Sequence, residues 1–281
     1  MANKMWRRKK LGLQTLFGKT PGGFFIPYRY APGVKNPGQR AYPASAELFE
    51  RSAGEFEALL EGMTEYDQAL QAIGADDPPA PRWDQDWFPT LDAAIAYTLV
   101  REHKPARIVE IGSGHSTRFY ARAVTDGGLG TKITAIDPAP RAVIEGLDVS
   151  FIRATVQEAG VGPFEGLEAG DILSIDSSHI LMPGTDVDML FTTVLPALPE
   201  GILLHIHDIF LPDGYPVDWE WRGYNEQNAV AALLDPKIYE PLFASHFAVT
   251  RLKGAVARSP VGRLPGKATA RPASLWLRRR V

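Results

Sequence analysis

Two apolar runs end in residues that could do acid–base or metal chemistry. DILSIDSSH closes on Asp176 and carries His179 three residues later, and GILLHIHD closes on His207 and Asp208. If these runs are neighbouring strands, their ends lie about 5 Å apart, close enough for Asp176 and Asp208 to share one divalent cation. Carboxylate ligands suit magnesium or manganese, whereas His207 as a third ligand favours a softer metal. A histidine beside such a site, with an ordinary pKa of about 6.5, can take a hydroxyl proton at neutral pH. The plainer alternative is that Asp176 only lines a ligand site and His179 caps the following helix. His205, two residues before His207 and on the same face, sits earlier in its strand and reads as core.

A second group lies upstream. VEIGSGHST places Gly112 and Gly114 directly after an apolar strand, with Ser113 between them and Ser116 and Thr117 opening a helix. Glycines let the chain bend sharply and approach a ligand, while the helix start offers unpaired N–H groups. The next strand, TKITAID, ends in Asp137, where an acidic side chain can accept hydrogen bonds from a ribose diol. Together these features describe a crevice for a ribose-bearing ligand. A dinucleotide fingerprint needs a third glycine three residues after the second; that position is Thr117, and no Walker lysine is present. A nicotinamide dehydrogenase is therefore disfavoured. His115, inside the turn, reads either as a contact to the ligand carboxylate or as a plain surface residue.

Glu110 stands two residues before Gly112, and the resulting pattern E-x-G-x-G-x-S-T resembles the first motif of class I S-adenosylmethionine (SAM) dependent methyltransferases. ITAIDP resembles their second motif. The resemblance covers about residues 83–280. It implies a Rossmann-like seven-stranded α/β sheet with helices on both faces and a reversed last hairpin. It also implies Gly112 and Gly114 against the methionine part of SAM, Asp137 on the ribose, and Val156 or Gln157 near adenine. Glu110, Ser113, Ser116 and Thr117 complete the expected cofactor set. DSSH with an acidic residue on the next strand is similar to metal-dependent O-methyltransferases of sugars and phenols. Carried over, Asp176 and Asp208 become ligands to Mg2+ or another divalent cation, His207 takes a position that is usually acidic, and His179 becomes the general base.

The elements that must position these residues follow from the same sequence. Strand-like runs at ARIVEIG, TKITAID, VSFIRA, DILSID and GILLHIHD alternate with helical patterns, which implies parallel pairing with helices on both faces. Helices are expected from Pro89-Thr90 to Lys104, near 117–124, near 139–145, near 187–195 and over NEQNAVAALLD. FAVTRL and SLWLRR are expected as closing strands. Residues 44–73 repeat apolar side chains at helical spacing, and the first 43 residues, rich in Gly and Pro, are expected to run as an irregular arm. We divide the chain into a basic arm and helical extension, 1–82, and a SAM-binding domain, 83–281.

The segment IFLPDGYPVDWEWRGYNEQN should lie over the acceptor site, where Tyr215, Trp219, Trp221, Arg222, Tyr224 and Asn225 could meet a sugar or ring. A lid packed only on itself explains the same residues. Charge is uneven along the chain: residues 1–46 carry 9 Lys/Arg and no acid, residues 251–281 another 9 and no acid, and the middle is −21. The basic ends either neutralise the acidic middle or contact an anionic membrane surface. No nucleic-acid motif accompanies them. With no Cys, no apolar run of membrane-spanning length and no signal-peptide core, we expect a cytoplasmic protein. The expected function is O-methylation of a small-molecule or saccharide hydroxyl; the rival is a SAM-binding protein without catalysis, whose arm and lid serve association.

Overall fold

The computed structural model describes residues 2–34, 40–267 and 269–281. The five apolar runs form parallel strands β1 (Arg107–Ile111), β2 (Lys132–Ile136), β3 (Ser150–Ile152), β4 (Ile172–Ile175) and β5 (Leu203–Ile206). Every residue of β4 and β5 is buried, as in a sheet covered on both faces. Two more strands, β6 (Tyr239–Ala244) and β7 (Leu275–Arg279), complete the order β3-β2-β1-β4-β5-β7-β6. β7 runs antiparallel to both neighbours. This is the seven-stranded sheet with a reversed last hairpin expected from the motifs.

The pairing register places the site. Ile111 is level with Ile136 and Ile175, and Ile175 with Ile206. The residues that follow, Gly112, Asp137, Asp176 and His207, therefore emerge together at the carboxyl edge of the sheet, the usual ligand edge of such folds.

The helix Thr90–His103 starts after Pro89 and stops at Lys104, which turns left-handed (φ 47°) ahead of Pro105. The helix His115–Gly127 grows from the glycine turn. Between β4 and β5 the chain is helical from Asp186 to Ala197 with a π-helical turn at Leu190–Val194, and Glu226–Leu233 follows the lid.

Three expectations need correction. Residues 139–145 form no helix; Pro138 and Pro140 flank Ala139 at the expected start, and a residue that precedes proline is pushed out of the helical region toward extended backbone. FAVTR, 247–251, is helical within Ser245–Arg251, and the strand at the edge beside β7 is YEPLFA. Pro241 disguised it, yet β6 is an edge strand with a register slip between Pro241 and Phe243, where a missing N–H is tolerated. The arm is irregular only from Gly18 on, because Ala2–Phe17 is a helix; no proline precedes Pro21. Residues 35–39 of the arm lie outside the described residues.

The extension folds as Pro43–Arg51, Ala53–Gly62, a 3-10 turn Met63–Tyr66 and Asp67–Ala72. Phe49 and Phe56 pack on Phe247 and Phe243 with ring centroids 5.5 to 6.0 Å apart, joining the extension to the closing hairpin. The basic C-terminal flank is paired internally: Arg251 with Asp213, Arg263 with Asp67, Arg271 with Asp218, and Arg278 and Arg280 with Glu240. Among the described residues no helix is long and apolar enough to cross a membrane.

Candidate active site

The glycine turn is built from below by Glu110. Its carboxyl group, 1% exposed, accepts hydrogen bonds from the hydroxyls of Ser116 and Thr117, and Thr117 Oγ1 accepts the Gly114 N–H at 2.9 Å. Burial pushes the Glu110 pKa up to about 8, against the pull of its two hydroxyl partners. Gly112 has φ +76°, and a Cβ there would collide with the carbonyl oxygen of Asp176, so only glycine lets β1 and β4 close at this point. Asp137 closes the turn from β2: Oδ2 accepts the Ser113 N–H at 2.7 Å and Oδ1 the Ala139 N–H at 2.7 Å.

Over this edge lies a cavity of about 540 Å³. Gly112, Ser113, Asp137, Gln157 and Asp176 line it, with Thr155 and Asp186 opposite. Gln157 is held by a hydrogen bond from Nε2 to the Gly184 carbonyl, 3.1 Å. Glu110, Ser116 and Thr117 are brought beneath the turn and Gly114 lies beside Ala142, so these four shape the wall from outside the lining. His115 is buried, not a surface residue; burial and the nearby Arg118 and Arg82 pull its pKa down to about 4.

At the end of β4 and β5 the second group assembles. Ligand atoms of Asp176, His179 and Asp208 all lie within 4.8 Å of one another. His179 Nε2 is 3.2 Å from Asp176 Oδ1 and 3.4 Å from Asp208 Oδ2. His207 Nδ1 is 3.6 Å from Asp176 Oδ1 and 3.7 Å from Asp208 Oδ1. His179 and Asp208 both have positive φ, 61° and 57°, a strained conformation for residues other than glycine that concentrates at functional sites.

Each histidine is backed by a carboxylate that the sequence reading missed. Glu226, fully buried, meets His179 Nδ1 at 2.8 Å and accepts the Ser177 hydroxyl at 3.0 Å. Asp92, fully buried in the helix Thr90–His103, lies 3.5 Å from His207 Nε2 and accepts the N–H groups of Ala273 and Ser274. A charged residue inside the apolar run TLDAAIAYTLV was the available signal for Asp92; Glu226, at a helix start, gave none. Burial opposes charge on both imidazoles, but the surrounding carboxylates outweigh it and hold His179 and His207 protonated well above the usual range. The pair in turn draws Asp176, which burial alone would raise, well below the usual carboxylate range.

The donor set fits a divalent cation: two carboxylates converge and two ring nitrogens face them; Glu226 orients His179 from behind by a hydrogen bond, the arrangement that fixes ligating histidines, whereas His207 Nε2 makes no hydrogen bond and lies 3.5 Å from Asp92. His205 is core, as expected. It stacks on Trp276 at 4.5 Å and hydrogen-bonds Ser174 and Ser274, and burial together with His207 lowers its pKa to about 3.

The lid packs largely on itself. The Arg222 guanidinium sits 3.9 Å over Trp219 and donates to the Tyr224 hydroxyl at 2.9 Å, and Trp219 meets Phe210 edge-on. Tyr224 reaches the cluster, its ring 4.5 Å from His179. Asn225 is tied to Leu181 through both amide atoms and so pins the loop that carries His179. Trp221 faces the N-terminal helix, with Lys4 above its ring at 5.6 Å.

Residues 109–209 match the family described as "Methyltransferase domain", a stretch that contains Gly112, Asp137, Asp176 and Asp208. No curated protein matches the chain. Among solved structures, an SAH-bound methyltransferase of Podospora anserina is 15% identical over 92% of this chain and 100% of its own, with a TM-score of 0.42. The Mg-SAM complex of cmcI is 18% identical over 66% of this chain and 69% of its own, with a TM-score of 0.37. The SAH complex of the plantazolicin methyltransferase BpumL is 12% identical over 80% of this chain and 100% of its own, with a TM-score of 0.39.

Proposed function

We propose, for a chain that carries a methyltransferase domain over residues 109–209, that it transfers the methyl group of SAM to a hydroxyl of a small-molecule or saccharide acceptor. The observation that carries this reading is the double membership of Asp176, which lines the cavity beside the glycine turn and also touches His179. A methyl donor in the cavity and a hydroxyl at the cluster would therefore meet across one side chain.

In this reading the Gly112–Ser113 backbone faces the methionine part of SAM, Asp137 the ribose and Gln157 the adenine. A carboxylate offers about four acceptor sites, so Asp137, which holds the turn through two N–H groups and the Ser113 hydroxyl, can still accept from a ribose hydroxyl. Asp176 and Asp208 would hold a divalent cation, with His207 Nδ1 as third ligand. When bound, the cation lowers the pKa of an acceptor hydroxyl. His179 would take the proton at Nε2, while Glu226 holds Nδ1–H and aims the ring. It can do so only when neutral, that is, when Asp176 and Asp208 are engaged by something other than its own proton.

A second reading makes His179 the ligand in place of His207, since its Nε2 lies nearer to both carboxylates. Cation affinity measured in His179→Ala and His207→Ala separates the two. The function itself is tested with isotopically labelled methyl-SAM and a panel of hydroxyl compounds, with and without Mg2+ or Mn2+, and label in an ether product is the expected outcome. SAM affinity with no transfer to any acceptor favours the non-catalytic alternative, and preference for NAD over SAM overturns the cofactor assignment.

A further inference from the structure

The N-terminal helix Ala2–Phe17 faces the wrong way for a helix that only stabilises its own fold. At 100° per residue, Met5, Trp6, Leu13, Leu16 and Phe17 fall on one side, and all five are 49 to 83% exposed. The opposite side meets the rest of the chain: Arg8 Nη1 donates to the Glu220 carbonyl at 3.0 Å, Lys4 lies over Trp221, and Leu11 and Thr15 are half-buried beside Gly22 and Gly23 of the arm. The apolar stripe thus points to the outside, and Phe24, Phe25 and Ile26 of the arm are exposed as well. Isolated exposed apolar residues are ordinary, but a contiguous apolar face marks a binding surface.

Charge identifies what covers it. The two basic flanks behave differently: the C-terminal one pairs with acidic side chains of the body, whereas among the described residues no Lys or Arg before Arg51 lies within ion-pair distance of a carboxylate. No acid occurs before Glu47. Lys9 falls inside the apolar stripe, near Leu16 and Leu13, and Lys10 on its border. In a protein–protein interface a lysine at the centre of the patch would be stripped of water without a partner, and such interfaces are depleted in lysine. At a bilayer the same side chain extends to the headgroups while its neighbours enter the acyl boundary. Basic residues interleaved with Trp, Phe and Leu on a helix too short to span are the pattern of an interfacial helix.

We infer that the helix Ala2–Phe17 docks this protein on an anionic membrane surface, with Met5, Trp6, Leu13, Leu16 and Phe17 inserted at the lipid boundary. Because Arg8 and Lys4 tie the helix to the lid at Glu220 and Trp221, docking would set the lid beside the bilayer.

The test is co-sedimentation of the full chain with phosphatidylglycerol-containing vesicles and with pure phosphatidylcholine vesicles. Binding to the anionic vesicles and little to the neutral ones is expected. The variant Trp6→Ser/Leu13→Ser/Phe17→Ser alters only exposed side chains, so its melting temperature should match wild type while its partition coefficient falls at least about 100-fold, since full removal of each apolar side chain from the lipid boundary is worth roughly tenfold or more and partial insertion of the three lessens that. Lys9→Gln/Lys10→Gln should weaken binding about fivefold for each charge. The inference is overturned if the wild-type chain stays in the supernatant with anionic vesicles, or if the triple-serine variant sediments as wild type does. It is overturned equally by a wild-type chain that is oligomeric and vesicle-free while the variant is monomeric, since a second copy then covers the stripe.

Discussion

Glu110→Gln isolates a buried ionisable group at the heart of the glycine turn. The wild-type carboxyl is fully enclosed and accepts from Ser116 and Thr117, and its pKa is pushed up to about 8 by burial. In the unfolded chain a glutamate ionises near 4.3. Between these values the folded protein keeps a proton that the unfolded chain has released, so wild-type stability falls as pH rises from about 4.5 to about 8 and levels off beyond. At about 1.4 kcal/mol per unit, the whole window is worth on the order of 5 kcal/mol, about 4 of it above pH 5. Glutamine copies the neutral form and has no such window. For a chain of this size 1 kcal/mol moves the melting temperature by roughly 2–4 °C, so the variant should gain on wild type by about 10 °C between pH 5 and pH 8.5. Differential scanning calorimetry of both proteins across that range measures it. Melting curves that stay parallel from pH 5 to 8.5 would mean that Glu110 ionises freely and that the turn is held some other way.

Asp137→Ala removes the acceptor for a ribose diol and should weaken SAM binding by roughly 1.5–3 kcal/mol, about ten- to a hundredfold; calorimetry with unchanged affinity refutes the ribose assignment. Gly112→Ala forces a side chain into positive φ against the Asp176 carbonyl and should lower stability by more than the roughly 1–3 kcal/mol of the backbone conformation alone, visible as a depressed melting temperature and lost SAM binding. Asp176→Asn and Asp208→Asn should each abolish Mn2+ binding followed by electron paramagnetic resonance, while Asp208→Asn leaves SAM affinity intact. His179→Ala should slow turnover by roughly 10² to 10⁴ with cation affinity retained; a fall in cation affinity as large as that of Asp208→Asn assigns His179 as a ligand instead.

The parts legible in the sequence are those where local chemistry and fold demand the same residue. Gly112 follows an apolar strand and must be glycine because β4 passes beside it, so the motif and the packing coincide. The helix from Thr90 was bounded by prolines on both sides, and its limits could be read directly. Strand β6 was hidden because edge position and a register slip tolerate Pro241, and neither is visible in a linear pattern. The N-terminal helix was hidden for the opposite reason: the glycines and prolines after Gly18 coloured a stretch before it that contains none of the prolines. At the site, Asp176, His179, His207 and Asp208 declared themselves by lying at strand ends. Glu226 and Asp92 approach the two histidines from helices far away in sequence, and only the folded chain shows that they do. Asn225, read as a substrate contact, spends both amide atoms on Leu181.

The two missed carboxylates change the electrostatics of the cluster. Four carboxyl groups, Asp92, Asp176, Asp208 and Glu226, face two imidazoles, those of His179 and His207. With every group in its charged form the sum is −2, and burial in the low-dielectric end of a sheet makes uncompensated charge expensive. Burial raises the pKa of Glu226, which is one way to shed part of that excess, but a proton there still leaves the cluster negative. A site with surplus negative charge at the mouth of a cavity attracts cations, and the proposed methyl transfer from SAM would bring two kinds: a sulfonium beside Asp176 and a divalent ion between Asp176 and Asp208. The divalent ion would take up both Asp176 and Asp208, and the sulfonium Asp176 alone, of the carboxylates that with Glu226 keep His179 protonated. In the proposed reading, arrival of the cationic partner and release of His179 Nε2 as a proton acceptor would therefore be the same electrostatic event, and the base would reach its working state only when the site is loaded.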